Sequence, residues 1–257
     1  MISILKVASK FLFNGTFNGI RISTRPDAID LNILKILKSY GVNAIELGAQ
    51  SMCDDVLLAN KRGHTSEDVI NASHLIKSFG FSLGLQMMTG LYKSSFEKDF
   101  YTAEEIVKLS PSTVRIYPTV IMKKTELEQL YLEKKFVPMD FDTTVELCSR
   151  LLILFEKNNI EVIRLGLHDS KSLRENMIAG NFHPSFCEIC KSRIIFKDTL
   201  DKLKEKSLKN AMVRLNPVSL SQFLGNKKSN LKKFFDMGYR LKIIQDENVN
   251  KNDIVIE

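Results

Sequence analysis

Cysteine is scarce in this chain. Cys53, Cys148, Cys187 and Cys190 are the only four in 257 residues, too few to staple a domain of this size with disulfides. Long apolar runs are also missing. No stretch approaches the roughly 20 residues that a membrane-spanning helix needs. The N-terminal MISILKVASKFLFNG breaks its apolar residues with Lys6 and Lys10, where a secretory signal would keep an unbroken core ahead of a small-residue cleavage site. Internal repeats and low-complexity tracts are absent, so the chain is not a repeat array. These absences imply a cytoplasmic protein that makes no use of a membrane.

What is present is ordinary globular material: 44% hydrophobic and 26% charged residues, enough to bury a substantial core. The length suits one barrel-like domain, or one with a small appendage. The formal charge of +7 is modest but unevenly placed, with eleven Lys or Arg residues and few acidic ones from Lys202 to Lys242. Such a segment either contacts phosphates, which makes RNA (tRNA) a candidate partner, or is a solvated helical face.

Strand-like and helix-like patterns alternate. GIRIS (19–23) is a β-branched run, and the Pro26-Asp27 pair behind it suits a helix start. Ile29, Ile33, Ile36 and Leu37 have helical spacing, ended by Gly41. AIELG (44–48) is a second strand, followed by a helical stretch over 56–60. Thr65 and Asp68 form a capping box for the next helix. SLGLQMMTG (82–90), a helix over 96–109, TVRIYPTVI (113–121), a helix over 143–157 and EVIRLGL (161–167) complete the series. Five strands separated by helices predict parallel βαβ units, in an open sheet or as part of a barrel. Beyond about residue 185 the pattern becomes a small α+β extension, with strands near 213–217, 241–245 and 253–256.

In either architecture ligands sit at the C-terminal strand ends. Polar residues gather there: Ser23 and Arg25, then Glu46 and Gln50, then Gln86, then Arg115 and Tyr117. Gly48 and Gly90 would let a ligand approach the backbone. Lys61-Arg62-Gly63-His64 reads as a carboxylate or phosphate clamp, because guanidinium binds oxyanions bidentately, or else as an exposed basic loop. His183, Cys187 and Cys190 are spaced i, i+4, i+7. On a helix they would share one face and could hold a metal, although no fourth ligand is visible and an ordinary amphipathic helix accounts for them as well. No metal site is therefore assigned.

GIRISTRPDAID, IELGAQSMCDDVLLANKRGHT, GLQMMTGL and VRIYPTVIMKKTELEQLY, in this order and continuing through VIRLGL and AGNFHPSF, resemble the radical S-adenosylmethionine (radical SAM) core of Elongator-catalytic-subunit proteins. Oxygen-independent coproporphyrinogen oxidases are more distantly similar. The resemblance implies an α/β fold, an incomplete (β/α)6 partial barrel of parallel strands at 1–185, with a basic α+β extension at 186–257. It implies S-adenosylmethionine and a [4Fe–4S] cluster as cofactors, the first being cleaved to a 5′-deoxyadenosyl radical. Matched by position, the cofactor-contacting residues are Ser23, Gln50, Arg62 and Gln86, with Tyr117 on the adenine side and Arg62 on the methionyl carboxylate.

The resemblance also implies a CxxxCxxC motif, which these residues do not contain. The expectation is a barrel lacking its first two strands, N-terminally truncated, with GIRIS as an exposed parallel edge. Its activity would then be impaired, or would depend on another chain that supplies the missing segment and the cluster ligands. The rival expectation is a non-catalytic RNA-binding or scaffold remnant that uses Lys202 to Lys242.

Overall fold

The computed structural model describes residues 2–13, 15, 17–251 and 253–257. The chain divides into two compact units, Met1–Pro184 and Ser185–Glu257. Among the described residues no helix is long and apolar enough to cross a membrane.

The first unit opens with α1 (Ile2–Phe13), whose Leu12 packs against the turn glycine Gly41. The elements β1 (Ile20–Thr24), α2 (Leu31–Ser39), β2 (Val42–Gln50), α3 (Asp54–Ala59), α4 (Ser66–Ser78), β3 (Ser82–Thr89), α5 (Phe96–Lys108) and β4 (Thr113–Pro118) follow. A short β5 (Val120–Met122), α6 (Glu126–Leu132), α7 (Phe141–Lys157), β6 (Glu161–Leu165), α8 (Lys171–Asn176) and β7 (Met177–Gly180) complete it. Strands β1-β2-β3-β4-β6 form one sheet in that order, and every neighbouring pair is parallel. This is the architecture the βαβ pattern predicts, and β1 is an edge strand.

The two sheet faces differ in chemistry because strand side chains alternate. Ile45, Leu47, Leu83, Leu85, Met87, Val114 and Ile116 are essentially fully buried, on the side where α2, α4, α5 and α7 pack. The opposite face carries register-paired Ser23, Glu46, Gly84 and Thr113, then Gln86 with Arg115, then Met88 with Tyr117. A row of polar groups thus lines this second face of the sheet.

Local capping explains most helix starts. Thr65 and Asp68 form the expected capping box on α4. Asp30, Ser95, Thr125, Asp140 and Ser170 each accept a backbone N–H at the head of their helices. Two boundaries differ from the sequence expectation. Pro26–Ala28 is a single 3-10 turn, and the helix behind it begins only at Leu31, because Asp30 is the residue that caps it. The run 113–121 is two strands. Pro118 has no N–H to continue the ladder, so the chain turns after it and β5 pairs antiparallel with β7, a strand absent from the sequence reading.

The second unit contains α9 (Phe186–Glu205), β8 (Asn210–Leu215), α10 (Leu220–Leu224), α11 (Ser229–Asp236), β9 (Arg240–Gln245) and β10 (Ile254–Ile256). Its sheet has the order β10-β8-β9. Leu203, Val213, Leu215, Phe223 and Phe234 form its buried core. Buried Asn230 ties the helices together, its amide donating to Ser192 Oγ at 2.9 Å and to the Phe223 carbonyl at 3.0 Å. A buried amide with several partners rigidifies such a core.

Candidate functional site

The polar row is a connected network. Glu46 is 4% exposed, which an unpaired carboxylate could not tolerate. Arg115 Nε donates to its Oε2 at 2.7 Å, and Ser23 Oγ donates to Oε1 at 3.4 Å. Arg115 Nη1 reaches Tyr117 Oη at 3.4 Å. The hydrogen bond to Tyr117, and then the Glu46 carboxylate, push the Arg115 guanidinium above its ordinary pKa. Gly84 leaves room for this pair, since a Cβ there would come within 3.4 Å of Glu46 Cγ and 3.0 Å of Thr113 Oγ1.

Gln50 ends β2 in a left-handed conformation, φ 66°, at a bulge in the β2–β3 register. A non-glycine residue there is strained. The strain delivers its buried carboxamide to Gln86, whose Nε2 donates to Gln50 Oε1 at 3.4 Å. Gly48 makes this possible, because a Cβ at that position would meet Gln50 Nε2 at 2.5 Å. The expectation that Gly48 admits a ligand is therefore corrected: the space is taken by the protein's own side chain. Gly90, φ 70°, likewise gives its N–H to Asp99 Oδ2 at 2.7 Å. Asp99 also accepts from Ser94 Oγ at 2.5 Å, and its burial raises its pKa to about 6.

The loop 60–65 is not an exposed basic loop throughout. Lys61 is exposed and pairs with Glu126, but His64 is buried, with Nε2 3.1 Å from the Ala49 carbonyl. Arg62 is half-buried, and its Nε is buried without a hydrogen-bond partner. Burial, and then the charge of Arg25, pull the Arg62 pKa down. Arg25 is held by Asp27 through Nε at 2.8 Å and Nη2 at 2.7 Å, and the same Nη2 donates to the Gly63 carbonyl at 3.2 Å. A buried, unsatisfied guanidinium N–H is a donor suited to an oxyanion.

The structure thus joins Ser23, Glu46, Arg115 and Tyr117 in one group and Gln50 with Gln86 in another, and gathers Arg25, Arg62 and His64 around a third. The sequence reading counted Glu46 and Arg115 only as polar strand residues. Their opposite charges, on inward-facing positions of two strands of one sheet, are the signal that could have identified them as a pair. Asp99 was missed entirely, since nothing local marks a helical aspartate as buried. This donor set fits S-adenosylmethionine: a guanidinium for a carboxylate, amides and hydroxyls for ribose and ammonium groups, and a tyrosine ring for a flat base.

It does not fit a [4Fe–4S] cluster. Among the described residues no three His, Cys, Asp or Glu side chains form a group able to hold a metal ion. Cys53 Sγ lies 3.8 Å from the Lys98 carbonyl, and burial pushes its thiol pKa up, away from the thiolate a metal needs. Cys148 is buried in α7. The one-face reading of His183, Cys187 and Cys190 is corrected by the helix boundary: α9 starts at Phe186, so His183 lies outside the helix.

Comparison with known proteins bears on the family and the fold. The family model described as the radical SAM superfamily matches residues 2–105, and that of the radical SAM C-terminal domain matches residues 111–195. The tRNA uridine(34) acetyltransferase of Methanocaldococcus infernus is 33% identical over 50% of this chain and 24% of its own length. Human Elongator complex protein 3 is 32% identical over 53% of this chain and 25% of its own length. The chain therefore spans about a quarter of the length of the curated relatives it matches. The solved structure of the archaeal Methanocaldococcus infernus Elp3 with an N-terminal deletion superposes with a TM-score of 0.62 at 25% identity, over 74% of this chain and 42% of that one. Two adjoining family models, homology to Elongator-type proteins and the parallel half-barrel agree: the chain belongs to the radical SAM superfamily.

Proposed function

We propose that the first unit is the S-adenosylmethionine-binding half of a radical SAM barrel. One observation carries this reading: Arg62 Nε has no hydrogen-bond partner, in a loop that His64 ties to the Ala49 carbonyl next to Gln50. Arg62 takes the methionyl carboxylate, Gln50, Gln86 and Ser23 bond the amino and ribose groups, and Tyr117 faces the adenine. In this family S-adenosylmethionine supplies a 5′-deoxyadenosyl radical when it is bound next to a [4Fe–4S] cluster. The cysteines for that cluster are contributed by polypeptide outside these 257 residues. The β1 edge, which has one neighbour among the described residues, is where a further parallel strand adds. Titration calorimetry tests the binding reading. S-adenosylmethionine should bind the wild-type chain saturably, and Arg62→Ala should weaken it by roughly 10- to 100-fold, the range for losing a charge-assisted hydrogen bond. Equal affinity in the two proteins would sink the assignment.

A second reading concerns the second unit, which we propose contacts RNA. A surface groove of about 520 Å³ between α11, β8 and β9 is lined by Phe235, Tyr239, Arg240 and Lys242. Lys209 lies 4.1 Å from the Tyr239 ring centroid, and Arg240 lies 3.8 Å from that of Phe235. Cations interleaved with aromatic rings suit a backbone-and-base ligand. Binding of a tRNA transcript should then fall steeply as salt rises, and no binding at low salt would end this reading.

A further inference from the structure

Arg62 can serve an anion only if its loop is held, and the structure shows what holds it. Residues 60–65 contain no regular element between α3 and α4. On one side His64 Nε2 meets the Ala49 carbonyl at the end of β2. On the other side the Gly63 carbonyl accepts from Arg25 Nη2, and Arg25 lies just beyond the end of β1. Arg25 cannot swing freely, because Asp27 grips Nε and Nη2 in a bidentate pair. Gly63 is shaped to this contact in two ways. Its φ of 73° is left-handed, and a Cβ would come within 2.8 Å of Arg25 Nη2. Arg62 immediately precedes these two fixed points, and its own backbone N–H bonds to the Leu57 carbonyl at 3.0 Å.

We propose that Arg25, braced by Asp27, is a positioning residue that latches loop 60–65 and so sets Arg62 for the carboxylate of its ligand. This rests on the S-adenosylmethionine reading of the site. Arg25 sits mostly in solvent, 59% exposed at the side chain, so its removal leaves no cavity and no buried charge. An exposed ion pair of this kind adds little to global stability. Its effect is therefore local, on the loop and on the one ligand group Arg62 meets.

The test compares two probes and one ligand-free measurement on the full chain. S-adenosylmethionine carries the carboxylate, whereas 5′-methylthioadenosine keeps the adenine, ribose and sulfur without it. Arg25→Ala should weaken S-adenosylmethionine by about 10-fold, the effect of a displaced charged hydrogen bond, and leave methylthioadenosine affinity unchanged. Arg25→Lys, which cannot make the fork to Asp27, should fall between. Equal weakening of both probes would show a general structural role and overturn the latch, as would no weakening of either. If wild-type protein binds neither probe, the site reading fails, and the latch is judged by hydrogen exchange alone. There the Arg62 amide, bonded to the Leu57 carbonyl, should exchange faster in Arg25→Ala at an unchanged melting temperature. Unchanged exchange overturns the latch whatever the ligand.

Discussion

At the residue scale, buried charge decides behaviour. Glu46 is tolerable because Arg115 and Ser23 satisfy it. Asp99 is different: it is 1% exposed and has only two neutral donors, Gly90 N–H and Ser94 Oγ. Its folded-state pKa of about 6 lies above its unfolded value. The folded chain therefore binds more protons than the unfolded chain between about pH 4 and 6, and stability falls as pH rises through that window. The raised value corresponds to about 3 kcal/mol at neutral pH relative to the protonated acid. Asp99→Asn should flatten this slope in urea unfolding measured from pH 4 to 7. The variant should be relatively most favoured above pH 6. A slope identical to wild type would show that Asp99 ionises without cost.

At the element scale, the β-strands and main helices were legible because their signals are local. Alternating apolar residues mark β2, β3 and β4, and Thr65 and Asp68 mark the head of α4. What was not legible depended on tertiary pairing. β7 is four residues, Met177–Gly180, with no periodicity of its own. It exists because β5 turns aside after Pro118 and pairs with it. Gly180 makes that ribbon possible: φ is 108°, and a Cβ would lie 2.8 Å from Val120 Cα and 2.9 Å from the Thr119 carbonyl oxygen. Both neighbours are backbone and cannot yield as a side chain would. Gly180→Ala should cost about 2–3 kcal/mol by the usual scale of left-handed strain plus overlap, read as a lower denaturation midpoint. An unchanged midpoint would mean the ribbon contributes nothing to the fold.

The candidate site was partly legible for the same reason. Sequence spacing could place Ser23, Gln86 and Tyr117 on strands, but the bulge that turns Gln50 back toward Gln86 is a property of the paired strands. The importance of Gly63 became visible only once Arg25, 38 residues away in sequence, was found bonded to its carbonyl.

At the scale of the whole molecule, the proposed S-adenosylmethionine site and the cluster expectation call for different tests. In the proposed reading the half-barrel offers Arg62 for a carboxylate, paired amides and Tyr117 as an aromatic flank, while no group of three metal-ligating side chains is found among the described residues. Anaerobic reconstitution of this chain with iron and sulfide should therefore give far less than about four irons per chain, the content of one full cluster. Full loading would overturn this expectation.

The most direct test of the site is a crystal structure of the chain grown with saturating S-adenosylmethionine. The ligand should lie across the ends of β2, β3 and β4, with its carboxylate within hydrogen-bond distance of Arg62 and its adenine beside Tyr117. Density for the ligand elsewhere, or none at that rim, would contradict the account.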